Sequence, residues 1–331
     1  MLACKDLHQA FPGPRTLWRR THLPAVRGVT LEVSPSRAVC VVGESGCGKT
    51  TFGKMAAGLM RPLSGRVEVD GVALFASRSA SWRRAALKVQ MIHQDPFSAL
   101  NPVHTVAEEL ALPLLRHHIV GKGQVREEVA RLLALTGLDA SAVVNKYPHE
   151  LSGGQRQRAV LARALTVRPK YLVADEAVSM VDVSSRLILL DLLMGICQSE
   201  GIGLLFITHD FGVARYVAYD GEIAVMYMGR VVEHGPTESV IHHPQHPYTR
   251  ILLSAIPPLQ AGPEFHMGKL EPRSYEVPNL ANIGVGCAFA ARCPFAEDRC
   301  RAETPELRAV EGPAHRAACH WVEAQEEGHA S

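Results

Sequence analysis

The chain of 331 residues carries 35 basic and 33 acidic side chains, a net charge of +2, with 47% hydrophobic residues. That length buries a substantial core, enough for one large domain plus an appendage. The near-balance of charge argues against a bulk nucleic-acid binder, and no apolar run approaches the ~20 residues that span a bilayer.

Residues 1–38 read as short strands and turns. Phe11 is the aromatic best placed to stack on an adenine ring, with Trp18 nearby; burial in the core is its ordinary alternative. Cys4 follows no apolar region and reads as a plain small residue rather than a lipid-attachment site. An apolar β-branched run, Val39 to Val42, then leads into Gly43-Glu44-Ser45-Gly46-Cys47-Gly48-Lys49-Thr50-Thr51 and a helix over 52–59. This is the phosphate-loop pattern G-x-x-x-x-G-K-[ST] between a strand and a helix. Its glycines let backbone N–H groups wrap a phosphate, and the helix start adds its positive dipole end. Lys49 supplies a charge for the outer phosphates, and the Thr50 hydroxyl is placed to ligate Mg²⁺.

Arg66 to Gly71 alternates like an exposed strand closing on Asp-Gly, and Val89 to Gln94 reads as a strand ended by Asp95-Pro96. Residues 103–147 carry helical spacing in two helices separated by Gly121-Lys122-Gly123. Leu151-Ser152-Gly153-Gly154-Gln155 opens another helix. Ser152 can cap it, and the glycines leave N–H groups bare for a second anion. The strand Tyr171 to Ala174 ends in Asp175-Glu176, a helix spans 185–199, and the strand Leu204 to Thr208 ends in His209-Asp210. Strands alternating with helices, with charges at their carboxyl ends, predict a mostly parallel sheet with its site along that edge. After about Gly235, a run of prolines predicts an irregular extension rather than a continued sheet.

Hydrolysis of a nucleoside triphosphate needs neutralised phosphate charge, a held Mg²⁺ and a positioned water. Asp175, at the end of an apolar strand, can hold Mg²⁺ through water, and Glu176 is the candidate general base. Gln94 can reach the same metal or water, and His209 the terminal phosphate.

This constellation resembles the nucleotide-binding subunits of ATP-binding cassette (ABC) transporters over about residues 1–235. Lys49 matches the Walker A lysine, Gln94 the Q-loop glutamine, Leu151 to Gln155 the LSGGQ signature, Asp175 the Walker B aspartate, Glu176 the catalytic glutamate and His209 the H-loop histidine. The resemblance implies an α/β P-loop NTPase core (domain 1–235) with an inserted helical subdomain at about 96–168. It also implies two cassettes paired head to tail. Each ATP is then covered by the partner's Ser152, Gly153, Gly154 and Gln155, with Asp182 of the D-loop crossing over. Ala177 stands where proline is usual, Met180-Val181 where Ala-Leu is usual, and His93 where an aromatic is common.

A narrower resemblance is to the oligopeptide/dipeptide/nickel importer branch. It rests on Gln94 to Pro102, on His246-Pro247-Tyr248-Thr249-Arg250, and on the stretch from Leu252 to Pro257. It implies an ATPase subunit powering import of peptides or nickel and metal chelates. The implied partners are a second, different cassette, two membrane-spanning permeases and an extracytoplasmic binding protein, with the chain on the cytoplasmic face of the inner membrane and no nucleic acid bound. A soluble ABC ATPase of DNA repair or translation, and a metal- or redox-regulated ATPase, are the alternatives.

The irregular extension, 236–331, holds four of the eight cysteines: Cys287, Cys293, Cys300 and Cys319, separated by 5, 6 and 18 residues. Four thiols can surround one soft metal centre, although the spacing is not that of a zinc ribbon. Some members of the branch carry a four-cysteine iron–sulfur cluster here, so the resemblance suggests a 4Fe–4S cluster with a structural role, zinc being the alternative and free or disulfide-linked thiols a third.

Overall fold

The computed structural model describes residues 1–16, 19–76, 80–95, 99–179, 183–255, 270–276, 278 and 283–329. Trp18, the Pro96-Phe97-Ser98 stretch, Met180-Val181-Asp182 and Ile256-Pro257 lie outside them.

The first 33 residues form two long strands rather than short ones. β1 (Leu2–Thr16) and β2 (Arg19–Val33) pair antiparallel with register shifts at four places, between Cys4 and Leu7, Leu7 and His8, Gln9 and Ala10, and Pro12 and Arg15. Each shift absorbs a residue that the ladder cannot pair, so Pro12 and Pro24 are carried inside a bent ribbon. The other edge of β1 takes β4 (Ser64–Val69). Asp70 and Gly71, both at positive φ (50° and 77°), turn β4 into β5 (Val72–Ala73), the hairpin geometry that Asp-Gly favours.

The second sheet is built from β3 (Ala38–Val42), β6 (Val89–Ile92), β7 (Tyr171–Asp175), β8 (Gly203–Thr208), β9 (Glu222–Tyr227), β10 (Arg230–Pro236), β11 (Arg308–Glu311) and β12 (His315–Ala317). Its order is β11-β12-β10-β9-β3-β8-β7-β6. Neighbours from β9 through β6 run parallel. All residues of β7 and β8 are buried, as expected of parallel strands covered on both faces.

The helices are α1 (Lys49–Ala56), α2 (Ala80–Leu87), α3 (Val106–Arg116), α4 (Val125–Leu135), α5 (Ala140–Val143), α6 (Gly153–Leu165), α7 (Val183–Ser199), α8 (Phe211–Val217), α9 (Thr237–His242), α10 (Pro247–Ser254), α11 (Asp298–Ala302) and α12 (His320–His329). On one side, α1 buries Phe52 and Met55 between the two sheets with Val67, Val173 and Ile207. On the other, Leu110 and Leu114 of α3, Leu132 and Leu133 of α4 and Leu161 of α6 share one core. A reciprocal cap of Thr105 and Glu108 starts α3.

The tail departs from the sequence reading. It opens with two short helices, α9 and α10, and β12 pairs with β10, so the sheet continues through it. The residue that fastens this edge is Glu233 of β10, fully buried, whose carboxylate accepts N–H bonds from Gln245 (2.7 Å) and His246 (2.9 Å) and meets His315 Nε2 of β12 at 2.9 Å. Nothing local announces a pairing across 82 residues. Glu233→Ala strands two backbone donors and an imidazole in the core. We expect it to cost about 3 kcal/mol of stability, read as a lower urea midpoint with an unchanged slope.

Candidate functional site

Parallel register puts the strand ends in line. Val42 of β3 lies opposite Thr208 of β8, Asp175 of β7 opposite Ile207, and Ile92 of β6 opposite Ala174. The phosphate loop, Asp175-Glu176, His209 and Gln94 therefore leave the sheet along one edge.

The loop is closely packed backbone. A Cβ at Gly43 would sit 2.1 Å from the Met226 carbonyl oxygen, and one at Gly48 2.0 Å from that of Ala25, where φ is also +105°. Both positions are closed to any side chain. Gly46 is different: its φ is +78° but it faces open space. Ser45, Gly46 and Thr50 are exposed, whereas Cys47 and Lys49 are buried. Lys49 Nζ donates to the carbonyls of Gly43 (2.7 Å) and Glu44 (2.9 Å), shaping the loop from within.

Thr50 Oγ1 donates to Asp175 Oδ1 at 3.3 Å. Asp175 is 3% exposed, and burial, opposed by that hydrogen bond, raises its pKa above the usual carboxylate range. A buried carboxylate beside an exposed hydroxyl is a donor set that fits Mg²⁺, whose hard charge would repay the desolvation. Glu176, at φ 45°, accepts from Gln94 Nε2 at 2.8 Å and meets His209 Nδ1 at 3.3 Å. One carboxylate is thus held by side chains from two other strand ends, an arrangement that can aim it at a water. Phe11 lies on β1 and is exposed, so it is not a core residue.

The Ser152 stretch forms its own small structure. Ser152 caps α6, its hydroxyl accepting from Gln155 N (3.2 Å) while Gln155 Oε1 accepts from Ser152 N (3.1 Å). Buried Arg156 fixes the approach by donating to the carbonyls of Pro148 (2.8 Å) and Leu151 (3.0 Å). A Cβ at Gly153 or Gly154 would meet nothing within 4 Å, so packing within the chain does not demand glycine there. The adjoining cavity of about 310 Å³ is lined by Ser152, Gly154, Gln155, Arg158 and Ser185 among others, and by no residue of the phosphate loop.

Several partners of the site carried no sequence signal. Tyr248 of α10, fully buried, accepts a hydrogen bond from Glu44 N at 2.9 Å, and Arg292 of the tail clasps the Glu44 carboxylate at 2.8 and 2.9 Å. Gln157 Nε2 donates to the Ala177 carbonyl, tying α6 to the turn after β7. The proline start of α10 was legible; the reach of its tyrosine was not. The four tail cysteines are free thiols. Burial lifts Cys293 to about 11 and Cys319 to about 12, and Cys287 is raised as well. Neighbouring thiols add to each rise. Among the described residues, however, no three His, Cys, Asp or Glu side chains are grouped so as to hold a metal ion.

The ABC transporter family profile matches residues 26–179, and the profile for the oligopeptide/dipeptide transporter C-terminal region matches residues 232–300. A probable peptide ABC transporter ATP-binding protein of Sinorhizobium fredii is 42% identical over 92% of this chain and 85% of its own. The di/tripeptide transport ATP-binding protein DppF of Pseudomonas aeruginosa is 38% identical over 98% of each chain. The oligopeptide transport ATP-binding protein OppF of Escherichia coli is 40% identical over 86% of this chain and 84% of its own. Among solved structures, the dimeric ATP-binding cassette MJ0796 bound to ADP and Pi superposes with TM-score 0.62 at 24% identity, over 72% of this chain and 99% of that one, which establishes the cassette fold. The fold and strand-end site define an ABC ATPase. The chain belongs to the ATP-binding proteins of the oligopeptide/dipeptide ABC transporter family.

Two outcomes follow from this geometry. Gly48→Ala introduces both a clash and a disfavoured φ, so we expect a loss of about 2 kcal/mol or more, measured by thermal or urea unfolding. Asp175 has its folded pKa raised above the unfolded value, so its contribution favours folding fully below the ordinary carboxylate pKa. That contribution is lost as pH rises through the raised value. Asp175→Asn should therefore stabilise the nucleotide-free protein at pH 7 and flatten that part of the pH–stability curve, while Mg²⁺-dependent ATP binding falls.

Proposed function

We propose that this chain hydrolyses ATP to drive a peptide importer, and that it does so only when a second cassette covers the nucleotide. The observation that carries the reading is the convergence, on one sheet edge, of the phosphate loop, the Thr50–Asp175 pair and a Glu176 carboxylate held by Gln94 and His209. Lys49 and the loop N–H groups bind the triphosphate, and Phe11 stacks on the base. Mg²⁺, held by Thr50, Asp175 and Gln94, would neutralise phosphate charge. Glu176 orients the attacking water and takes its proton, while His209 steadies Glu176 and reaches the terminal phosphate.

Ser152, Gly153, Gly154 and Gln155 serve the partner's ATP, a role supported by glycines whose absent side chains leave only open space. Asp182 would cross to the partner in the same dimer. The assembly we favour pairs this chain with a different cassette beneath two permeases, on the cytoplasmic face of the membrane, with substrate delivered by a binding protein. Its relatives are named for di/tripeptide and oligopeptide transport. Permease docking is supported by a groove of about 330 Å³ lined by Met91, His93, Ala99, Leu112 and Arg163 among others, close to Gln94 in the chain. The cassette in this reading spans 1–235, with its helical insertion at about 96–168, and 236–331 is the branch-specific extension.

The finer reading of the tail, a structural 4Fe–4S cluster with zinc as the alternative, rests on the chemistry of four soft thiols within one short stretch of sequence, Cys287 to Cys319. A cubane spans more space than a single ion and so asks for thiols further apart than zinc does. Colourless, metal-free protein after anaerobic purification would end it; brown protein containing iron would support it.

The decisive variant is Glu176→Gln. We expect turnover to fall at least ~100-fold while ATP is retained in a dimer seen by size-exclusion chromatography. Undiminished ATPase activity would remove Glu176 from the role of base.

A further inference from the structure

The phosphate loop carries an acidic side chain, Glu44, at the lip of a site meant for a polyanion. Its carboxylate does not face solvent alone. Arg292 grips it in a two-pronged pair, Nη1 to Oε2 at 2.8 Å and Nη2 to Oε1 at 2.9 Å. Arg292 is 4% exposed, and its guanidinium lies 5.7 Å from the Tyr227 ring centre and 5.6 Å from that of Phe289. Two of its other N–H groups go to the Ser274 carbonyl and the Tyr227 hydroxyl. Tyr248 completes the hold by accepting from Glu44 N. Glu44 is therefore fixed at its backbone and at its side chain by groups from the second half of the chain, and Arg292 immediately precedes Cys293 of the thiol group.

We propose that Arg292 is a positioning residue of the nucleotide site: by pairing off Glu44 it removes a negative charge from the phosphate loop. The C-terminal extension is on this account a working part of the ATP site. The inference rests on the nucleotide-site reading above and deepens it.

The physical content is a sign. An unpaired Glu44 repels phosphate through a partly desolvated path, where charge interactions are stronger than in water. Arg292→Met keeps a long apolar stem against Tyr227 and Phe289 and removes only the charge. In the full-length protein, ATP affinity by isothermal titration should fall about tenfold, or about 1.4 kcal/mol. Glu44→Gln alone should bind ATP at least as well as the wild type, and Glu44→Gln with Arg292→Met should return to within about twofold of it, a strong departure from additivity. The Arg292→Met defect should shrink as salt screens the exposed charge. A purely structural role would not respond in that way.

Arg292→Lys, with a single point charge in place of the planar fork, should lose less, and Glu44→Gln should cure that loss too. It carries the test if Arg292→Met fails to fold. Unchanged affinity in Arg292→Met, or a double variant as weak as Arg292→Met, overturns the proposal. Lys49→Ala is the control. If it abolishes ATP binding while Arg292→Met leaves the affinity unchanged, only this inference fails; if it leaves binding intact, the nucleotide-site reading itself fails.

Discussion

The register of the parallel strands is the constraint on which everything else depends. With Val42 against Thr208, Asp175 against Ile207 and Ile92 against Ala174, four connections leave the sheet at nearly one level. A slip of one residue would turn the Asp175 side chain to the opposite face of the sheet and part it from Thr50. The buried runs of β7 and β8 resist such a slip, because both faces of each strand are packed. Core apolar packing thus sets the distances between the strand-end side chains, and the polar residues inherit their places from it.

What could be read from residue order was what is chemically local. The phosphate loop, the strand ends at Asp175 and His209, the Asp-Gly hairpin and the Ser152 cap each depend on neighbours within a few positions. Their signals survive without knowledge of the fold. The long β1–β2 ribbon was missed because its bulges disguise alternation. The tail strands were missed because β12 finds its partner through Glu233 and His315, which no periodicity links. The Arg292 pair with Glu44 joins residues 248 apart and has no local mark at all.

The two glycine pairs in this chain show how different reasons lead to the same residue. Gly43 and Gly48 are required from inside, since carbonyls stand where their side chains would be. Gly153 and Gly154 are required by nothing among the described residues, lying at the exposed start of a capped helix where an added Cβ would meet no atom within 4 Å. A helix start kept bare at an entropic cost, with dipole and N–H groups outward, makes sense if what approaches belongs to another molecule.

The tail then takes on a different character from an appendage. Phe289 packs against Tyr227 and Tyr248 at ring distances of 5.2 and 5.3 Å, directly below the segment whose Met226 carbonyl closes on Gly43. The loop is supported from that side by Tyr248 and Arg292, and by Gly229 N donating to the Cys47 carbonyl at 2.8 Å. Lys49, by contrast, ties the loop to itself. These outer contacts are independent of the lysine, and two of the three come from Tyr248 and Arg292, far along the chain. An element that merely hung from the cassette would have no reason to bury a charged guanidinium in order to reach Glu44, since such burial costs stability unless the charge is well paired.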